Sequence, residues 1–327
     1  MFKTQFDFYG NKESVQTLTC SLTGGRLSHA YLFYGPKGSG KRTLATQFAQ
    51  AILCRDPAAR PCGRCADCLK VSKLIHPDLL LEGGEGGKSS FHAEVVRKIR
   101  SEAYIRPNSG EYKVYILCGV ENMSIAAANA LLKVLEEPPR HVVFLLTCES
   151  KSAIPETLVS RCVPVALYPV EPRECAEAVA RLSGETDQAQ IDYAVSLSGG
   201  LIGGALGLLT DKEMRQASET AQKLRDSLLS PDELDTLVAS APLDGNRALT
   251  LRVLPLLTGV IRQSILSKVS ARPDPLACKY SLKALLRMVK TIDQAQSNLE
   301  RNANLGLTLC WLCAGLRQTG TAAHTQA

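Results

Sequence analysis

Short apolar runs alternate with segments of helical periodicity in the first half of the chain, and helical periodicity alone fills the second half. The runs at 31–34 (YLFY), 113–117 (KVYIL) and 141–147 (HVVFLLT) have the length of strands buried on both faces, which need no polar alternation. Helical spacing links Val15, Leu18 and Leu22, then Leu44, Ala45, Phe48, Ala49 and Ile52, then Val95, Val96 and Ile99. The segment 126–137 is a strong helix former stopped by Pro138-Pro139. Strand-helix alternation of this kind predicts an α/β domain with a parallel sheet over 1–167. Beyond Val170 the pattern predicts helices at 171–182, 187–197 and 201–209, with Ser198-Gly199-Gly200 as a turn. Residues 211–318 read as helix broken at Ser230-Pro231, 242–245 and 273–275, and 319–327 is expected to be a disordered tail. The expected domains are therefore 1–167, 168–210 and 211–318.

The first apolar run leads into Gly35-Pro36-Lys37-Gly38-Ser39-Gly40-Lys41, and a helical pattern follows. Strand, glycine-rich turn and helix make a phosphate loop: backbone N–H groups surround phosphate oxygens at a helix N-terminus, and Lys41 adds a cation. Gly35, Gly38, Gly40, Lys41 and Thr43 are the candidate nucleotide-binding residues, in a degenerate loop. The Mg²⁺-binding hydroxyl belongs directly after the lysine, where this chain has Arg42, and Thr43 comes one place late, about 100° round the helix. The strand at 113–117 runs into Cys118 and Gly119, where a phosphate-loop ATPase carries acids for Mg²⁺ and water; Glu121 lies farther on. A second glycine-rich stretch ends in Gly87-Lys88-Ser89, but Glu82 stands where its first glycine belongs, so a flexible loop is expected there.

Cys54, Cys62, Cys65 and Cys68 lie within fifteen residues, with Pro61 and Gly63 to bend the chain between them. Four thiolates at this spacing can enclose one tetrahedral ion. Ser72 stands where an iron–sulfur run would place its fourth cysteine, so Zn²⁺ is expected, in a structural site with no open position. Its binding would fold an insertion too small for a core of its own. Cys310 and Cys313, separated by Trp311 and Leu312 in an apolar helix, read as packing.

Composition adds little beyond this. A net charge of +6 permits nucleic-acid contact without requiring it, and the helix at 93–103 presents Arg97, Lys98 and Arg100 on one side. No apolar run reads as a membrane span and the start lacks a signal core, so no membrane partner and a cytoplasmic location are expected, with the twelve cysteines as thiols or metal ligands.

GPKGSGK, the four-cysteine insertion, AAANALLKVLEEPP, HVVFLLT and above all Ser160-Arg161-Cys162 resemble the clamp-loader branch of the AAA+ family, and within it the delta-prime family of bacterial DNA polymerase III. The likeness is dense from about residue 8 to 165 and looser beyond. It implies a RecA-like P-loop AAA+ domain with a zinc-binding insertion, a small helical lid and an all-helical collar that joins subunits into a ring. It implies that Arg161 acts in trans at a neighbour's ATP site, where a guanidinium stabilises the phosphoryl group in flight. The partners implied are the gamma/tau and delta subunits, the sliding clamp and primed DNA. The family's ATPases carry an arginine in the lid, where this chain has Ile202, Gly203 and Gly204. With the Mg²⁺ hydroxyl and both strand-end acids also missing, the expectation is a non-motor subunit of the polymerase holoenzyme that does not hydrolyse ATP by itself. Motor subunits of the family often continue past the collar, whereas this chain stops at 327. Two alternatives are an active ATPase using Lys41 with Thr43 or Glu121, and a zinc-dependent nucleic-acid binding module using the basic helix.

Overall fold

A computed structural model describes residues 6–56, 58–83, 93–270 and 273–321. The second glycine-rich loop, with Gly87, Lys88 and Ser89, lies outside the described residues. The chain divides into two compact units, Met1–Glu174 and Cys175–Ala327.

The first unit runs α1 (Lys12–Thr23), β1 (Ala30–Tyr34), α2 (Lys41–Leu53), α3 (Ala66–Ser72), β2 (Leu79–Gly83), α4 (Ala93–Ala103), β3 (Lys113–Cys118), α5 (Ile125–Glu136), β4 (Val142–Cys148), α6 (Glu156–Val159) and β5 (Val163–Ala166). The five strands form one sheet in the order β2-β3-β4-β1-β5, and every pairing is parallel. Period-two alternation divides the strand side chains between two apolar cores. Ala30 and Leu32 join Tyr115, Leu117, Phe144 and Leu146 under α4 and α5, while Tyr31 and Phe33 join Ile116 and Leu145 under α1 and α2. Both faces being covered explains why β4 is apolar along nearly its whole length and buried throughout. Strand β1 lies between β4 and β5, yet the chain leaves it for β2 at the far edge. The crevice at its C-terminal end is thus a topological switch point, where open parallel sheets bind ligands.

The second unit takes in most of α7 (Pro172–Ser183), then α8 (Gln188–Ser198), α9 (Ile202–Thr210), α10 (Lys212–Ser227), α11 (Leu234–Ser240), α12 (Arg247–Val269), α13 (Pro275–Lys279), α14 (Leu282–Glu300) and α15 (Leu305–Thr321). Breaks fall at the expected proline and glycine clusters, but the helices also break at 280–281 and at 301–304, which hold neither proline nor glycine. Helix α15, however, runs to Thr321, so the helix extends into the stretch expected to be a disordered tail. Helix α12 is the axis of this unit, packing on α8, α10, α13 and α14. Gly259 permits the approach to α8, since a Cβ there would lie 2.9 Å from the Leu197 carbonyl oxygen. Among the described residues α12 alone is long and apolar enough to cross a membrane by composition, and 56% of that apolar window is buried inside the protein.

Candidate functional site

Strand β1 ends at Tyr34, and the chain turns through 35–40 into α2. Gly35 and Gly40 adopt φ values of 153° and 87°. Neither position has room for a side chain: a Cβ on Gly35 would lie 2.1 Å from the Leu167 carbonyl oxygen, and one on Gly40 2.9 Å from the Phe8 ring. Gly38 also has positive φ, at 83°. The loop therefore has the backbone of a phosphate cradle at the head of a 13-residue helix. Its lysine is turned inward. Lys41 is buried and its Nζ donates to the Gly35 carbonyl at 2.8 Å and the Pro36 carbonyl at 2.9 Å. The Ser39 hydroxyl is buried without a hydrogen-bond partner. Thr43 is exposed on α2, out of the cradle, as its offset from Lys41 requires.

The neighbouring strand ends carry little that could hold a cation. Cys118 is a buried thiol, and Gly119 turns in the left-handed region with its N–H donating to both the carbonyl and the hydroxyl oxygen of Thr147, at 3.0 and 3.1 Å. The Glu121 carboxylate reaches this region. Its Oε1 accepts from the Glu149 N–H at 3.2 Å, while Oε2 is buried without a partner. Cys148, at the end of β4, is held protonated: burial, then the charge of Glu121, push its pKa up to about 12 against the opposing pull of Lys41 and Lys151.

The four expected metal ligands come together. The Sγ atoms of Cys54, Cys62, Cys65 and Cys68 lie within 4.8 Å of one another. A tetrahedral zinc–thiolate site with bonds of about 2.3 Å places its sulfurs about 3.8 Å apart, and the Cys54–Cys65 and Cys62–Cys68 pairs stand at 4.0 and 3.9 Å. Backbone donors already serve two of the sulfurs, Cys65 N–H to Cys62 Sγ at 3.4 Å and Cys68 N–H to Cys65 Sγ at 3.3 Å. Cys65 is the N-cap of α3 and Cys54 follows the last residue of α2, so two helix ends and the loop between them make the cage. Burial opposes ionisation of Cys62, but the N–H groups of Arg64 and Cys65 outweigh it and bring its pKa down to about 7. The donor set and its spacing fit a closed, four-thiolate ion.

Residues 10–171 match the family model described as "DNA polymerase III, delta subunit". The chain is 39% identical over 162 residues to the DNA polymerase III subunit tau of Bacillus subtilis, a match covering 48% of this chain and 27% of that protein. It is 27% identical over 317 residues to the subunit gamma of Buchnera aphidicola subsp. Acyrthosiphon pisum, covering 93% and 87%. It is 37% identical over 183 residues to the subunit delta' of Pseudomonas aeruginosa, covering 55% and 56%. Residues 10–171 belong to the DNA polymerase III clamp-loader family. The chain spans only about a quarter of the tau relative and just over half of the delta' relative.

Arg161 of this clamp-loader segment follows α6, and its guanidinium bonds Glu136 Oε1 at 2.9 Å and the Thr157 carbonyl at 3.0 Å, with about a third of the side chain exposed. Both partners lie outside the loop at 35–41. His29 has its Nε2 buried and unpartnered; burial lowers its pKa, a hydrogen bond to the backbone of Arg161 opposes the shift, and the ring stays neutral near pH 7. Arg97, Lys98 and Arg100 on α4 are exposed while Val96 and Ile99 are buried, which is the ordinary division of an amphipathic helix. Cys313 is packed, as its apolar surroundings predict, but Cys310 is exposed.

A polar chain behind the cysteine cluster has no counterpart in the motif reading. Arg55 Nε reaches Asp67 Oδ2 at 3.0 Å, Asp67 Oδ1 accepts from His76 Nε2 at 3.2 Å, and His76 Nδ1 accepts the Asp78 N–H at 3.0 Å. The Asp78 carboxylate then takes four donors from Asn108 and Ser109. The backbone donor fixes the tautomer of His76, whose proton must sit on Nε2. The sequence signal was His76-Pro77-Asp78 directly after the cysteine module, and nothing in its spacing names the partners.

Proposed function

We propose that the chain is a non-motor subunit of the bacterial DNA polymerase III clamp loader, of the delta-prime type, working in the cytoplasm. It would help place the sliding clamp on primed DNA from within a ring shared with gamma/tau and delta subunits. In this reading 1–167 is the AAA+ domain, 168–210 the lid and 211–318 the ring-forming collar. The carrying observation is the chemistry left at the phosphate loop. Cys118 and Gly119 stand where Mg²⁺ and the attacking water need oxygen ligands, and Arg42 stands in place of the metal hydroxyl. Gly35, Gly38, Gly40 and Lys41 keep the fold of the cradle, and Lys41 is satisfied by the loop's own carbonyls. Cys54, Cys62, Cys65 and Cys68 hold a structural Zn²⁺ that folds the insertion. Arg161 acts in trans: its partly exposed guanidinium would leave Glu136 for the phosphates of an adjacent subunit, where a fixed positive charge stabilises the transferring phosphoryl group.

The test is ATP turnover with primed DNA and clamp, by the chain alone and then mixed with gamma and delta subunits. No turnover alone, with turnover of the assembled complex falling roughly tenfold or more in Arg161→Ala while the complex still forms, is the expected outcome. Turnover by the chain alone that Lys41→Ala abolishes would overturn it. That second reading, a gamma/tau-like motor, draws on the 39% identity to a tau subunit and on Glu121, whose buried and unpartnered Oε2 could take a cation.

A further inference from the structure

Helices α14 and α15 leave one face uncovered. Leu282 and Leu286, one turn apart on α14, are 40% and 48% exposed, and Trp311 on α15 is 47% exposed. Helix α14 has its own buried side, with Leu285, Met288, Ile292 and Ala295, so the two leucines are surplus to the core. Two adjoining depressions of about 520 and 460 Å³ follow this face, and Arg287 and Lys290 belong to both. Trp311 lines one; Leu282, Leu286 and Lys283 line the other. Gly315 brings the helices close enough to form the floor, since a Cβ there would stand 2.8 Å from Thr291 Cγ2.

Three cations, Lys283, Arg287 and Lys290, edge the groove, and among the described residues no carboxylate lines either depression. Among the described residues none of the three pairs with an acid. Like charges three and four apart on a helix repel, and exposed leucines and tryptophan are left in water. One occupant would relieve both conditions. We propose that this groove docks an acidic amphipathic segment of a partner protein, its apolar side chains on Leu282, Leu286 and Trp311 and its carboxylates against Lys283, Arg287 and Lys290. Residues 282 to 290 span roughly 12 Å of helix, which matches anchors two to three turns apart on a bound helix. Other occupants fit less well. The chain's last residues, TAAHTQA from Thr321, carry neither an acid nor a large apolar group. A second copy placed face to face would set the same three cations against themselves. A nucleic-acid strand could use the cations and the tryptophan but not the leucines. The inference does not depend on whether the subunit is a motor.

Trp311 is the only tryptophan in the chain, so its emission reports occupancy directly. The probe is a synthetic helix of about 14 residues with Leu and Phe at i, i+4 and i+7 and Glu between them. Titration into the full chain is expected to shift Trp311 emission, whereas the same peptide with Lys for Glu is expected to leave it unchanged. The paired variant Arg287→Glu, Lys290→Glu is expected to weaken binding tenfold or more, and Leu286→Glu to do likewise, with wild-type thermal unfolding because all three side chains are exposed. No shift with the acidic peptide, or equal shifts with both peptides, overturns the proposal without recourse to any variant. So does tighter binding of an oligo-dT strand, or self-association that Leu286→Glu abolishes. Loss of peptide binding when the chain enters the assembled clamp loader would assign the groove to the ring contact, and overturns it as well.

Discussion

Asp78 is nearly fully buried, and a lone carboxylate in that setting would be neutral. Burial pushes its pKa up, but the N–H groups and side chains of Asn108 and Ser109 outweigh it and hold the pKa below the usual carboxylate value. A depressed folded pKa contributes stability that is fully present above the ordinary carboxylate pKa and lost as pH falls through the folded one. Asp78→Ala strands four donors and should cost about 3 kcal/mol at pH 7, read by urea unfolding, and the gap to wild type should close in acid. The cysteines and the loop glycines were legible residue by residue because their roles are set by chemistry close in sequence: sulfur ligands at metal spacing, and backbone that no Cβ can enter. Asp67, His76 and Asp78 were not, because Asp78 finds its donors thirty residues away.

At the scale of elements, the C-terminal end of α10 and the turn to 232 present carbonyls with no helical partner, and cations from two later helices collect them. Arg317 on α15 donates to the carbonyls of Ser227, Ser230 and Asp232 and to the Thr236 hydroxyl. Lys279, at the end of α13, takes those of Leu228, Leu229 and Ser230. Cations at a helix C-terminus satisfy both its unpaired carbonyls and its dipole. Arg317→Met keeps the stem but removes these bonds and should destabilise the second unit by about 3 kcal/mol, with hydrogen exchange rising first in α11 and α15. Periodicity read 211–318 as helical and found the break between α10 and α11, but it ran α13, α14 and α15 together. It could not find the clamp, since arginine in an amphipathic helix looks the same whether it faces water or a turn eighty residues away.

For the whole molecule, the four-cysteine cluster lies in one compact unit and not the other. Elemental analysis of the purified chain should give about one zinc per chain, lost in Cys62→Ser. Chelation should lower the unfolding temperature of the unit containing residues 1–174 by roughly 5 °C or more and leave that of 175–327 in place, because an ion bound only by the folded cage stabilises only that cage's fold. Two separable calorimetric transitions, one chelator-sensitive, would be the readout.

The sequence by itself determined the strand-helix alternation, the glycine cradle, the four sulfurs and the losses at Arg42, Cys118 and Gly119, because each is written in residues adjacent in the chain. The tertiary structure decided what those residues touch. It turned Lys41 onto its own loop, tied Arg161 to Glu136, joined the cysteine module to Asp78 through His76, and left Leu282, Leu286 and Trp311 uncovered beside three cations that pair with no acid among the described residues. Those outcomes depend on which surfaces meet after the sheet and the helices pack, and local periodicity carries no record of that.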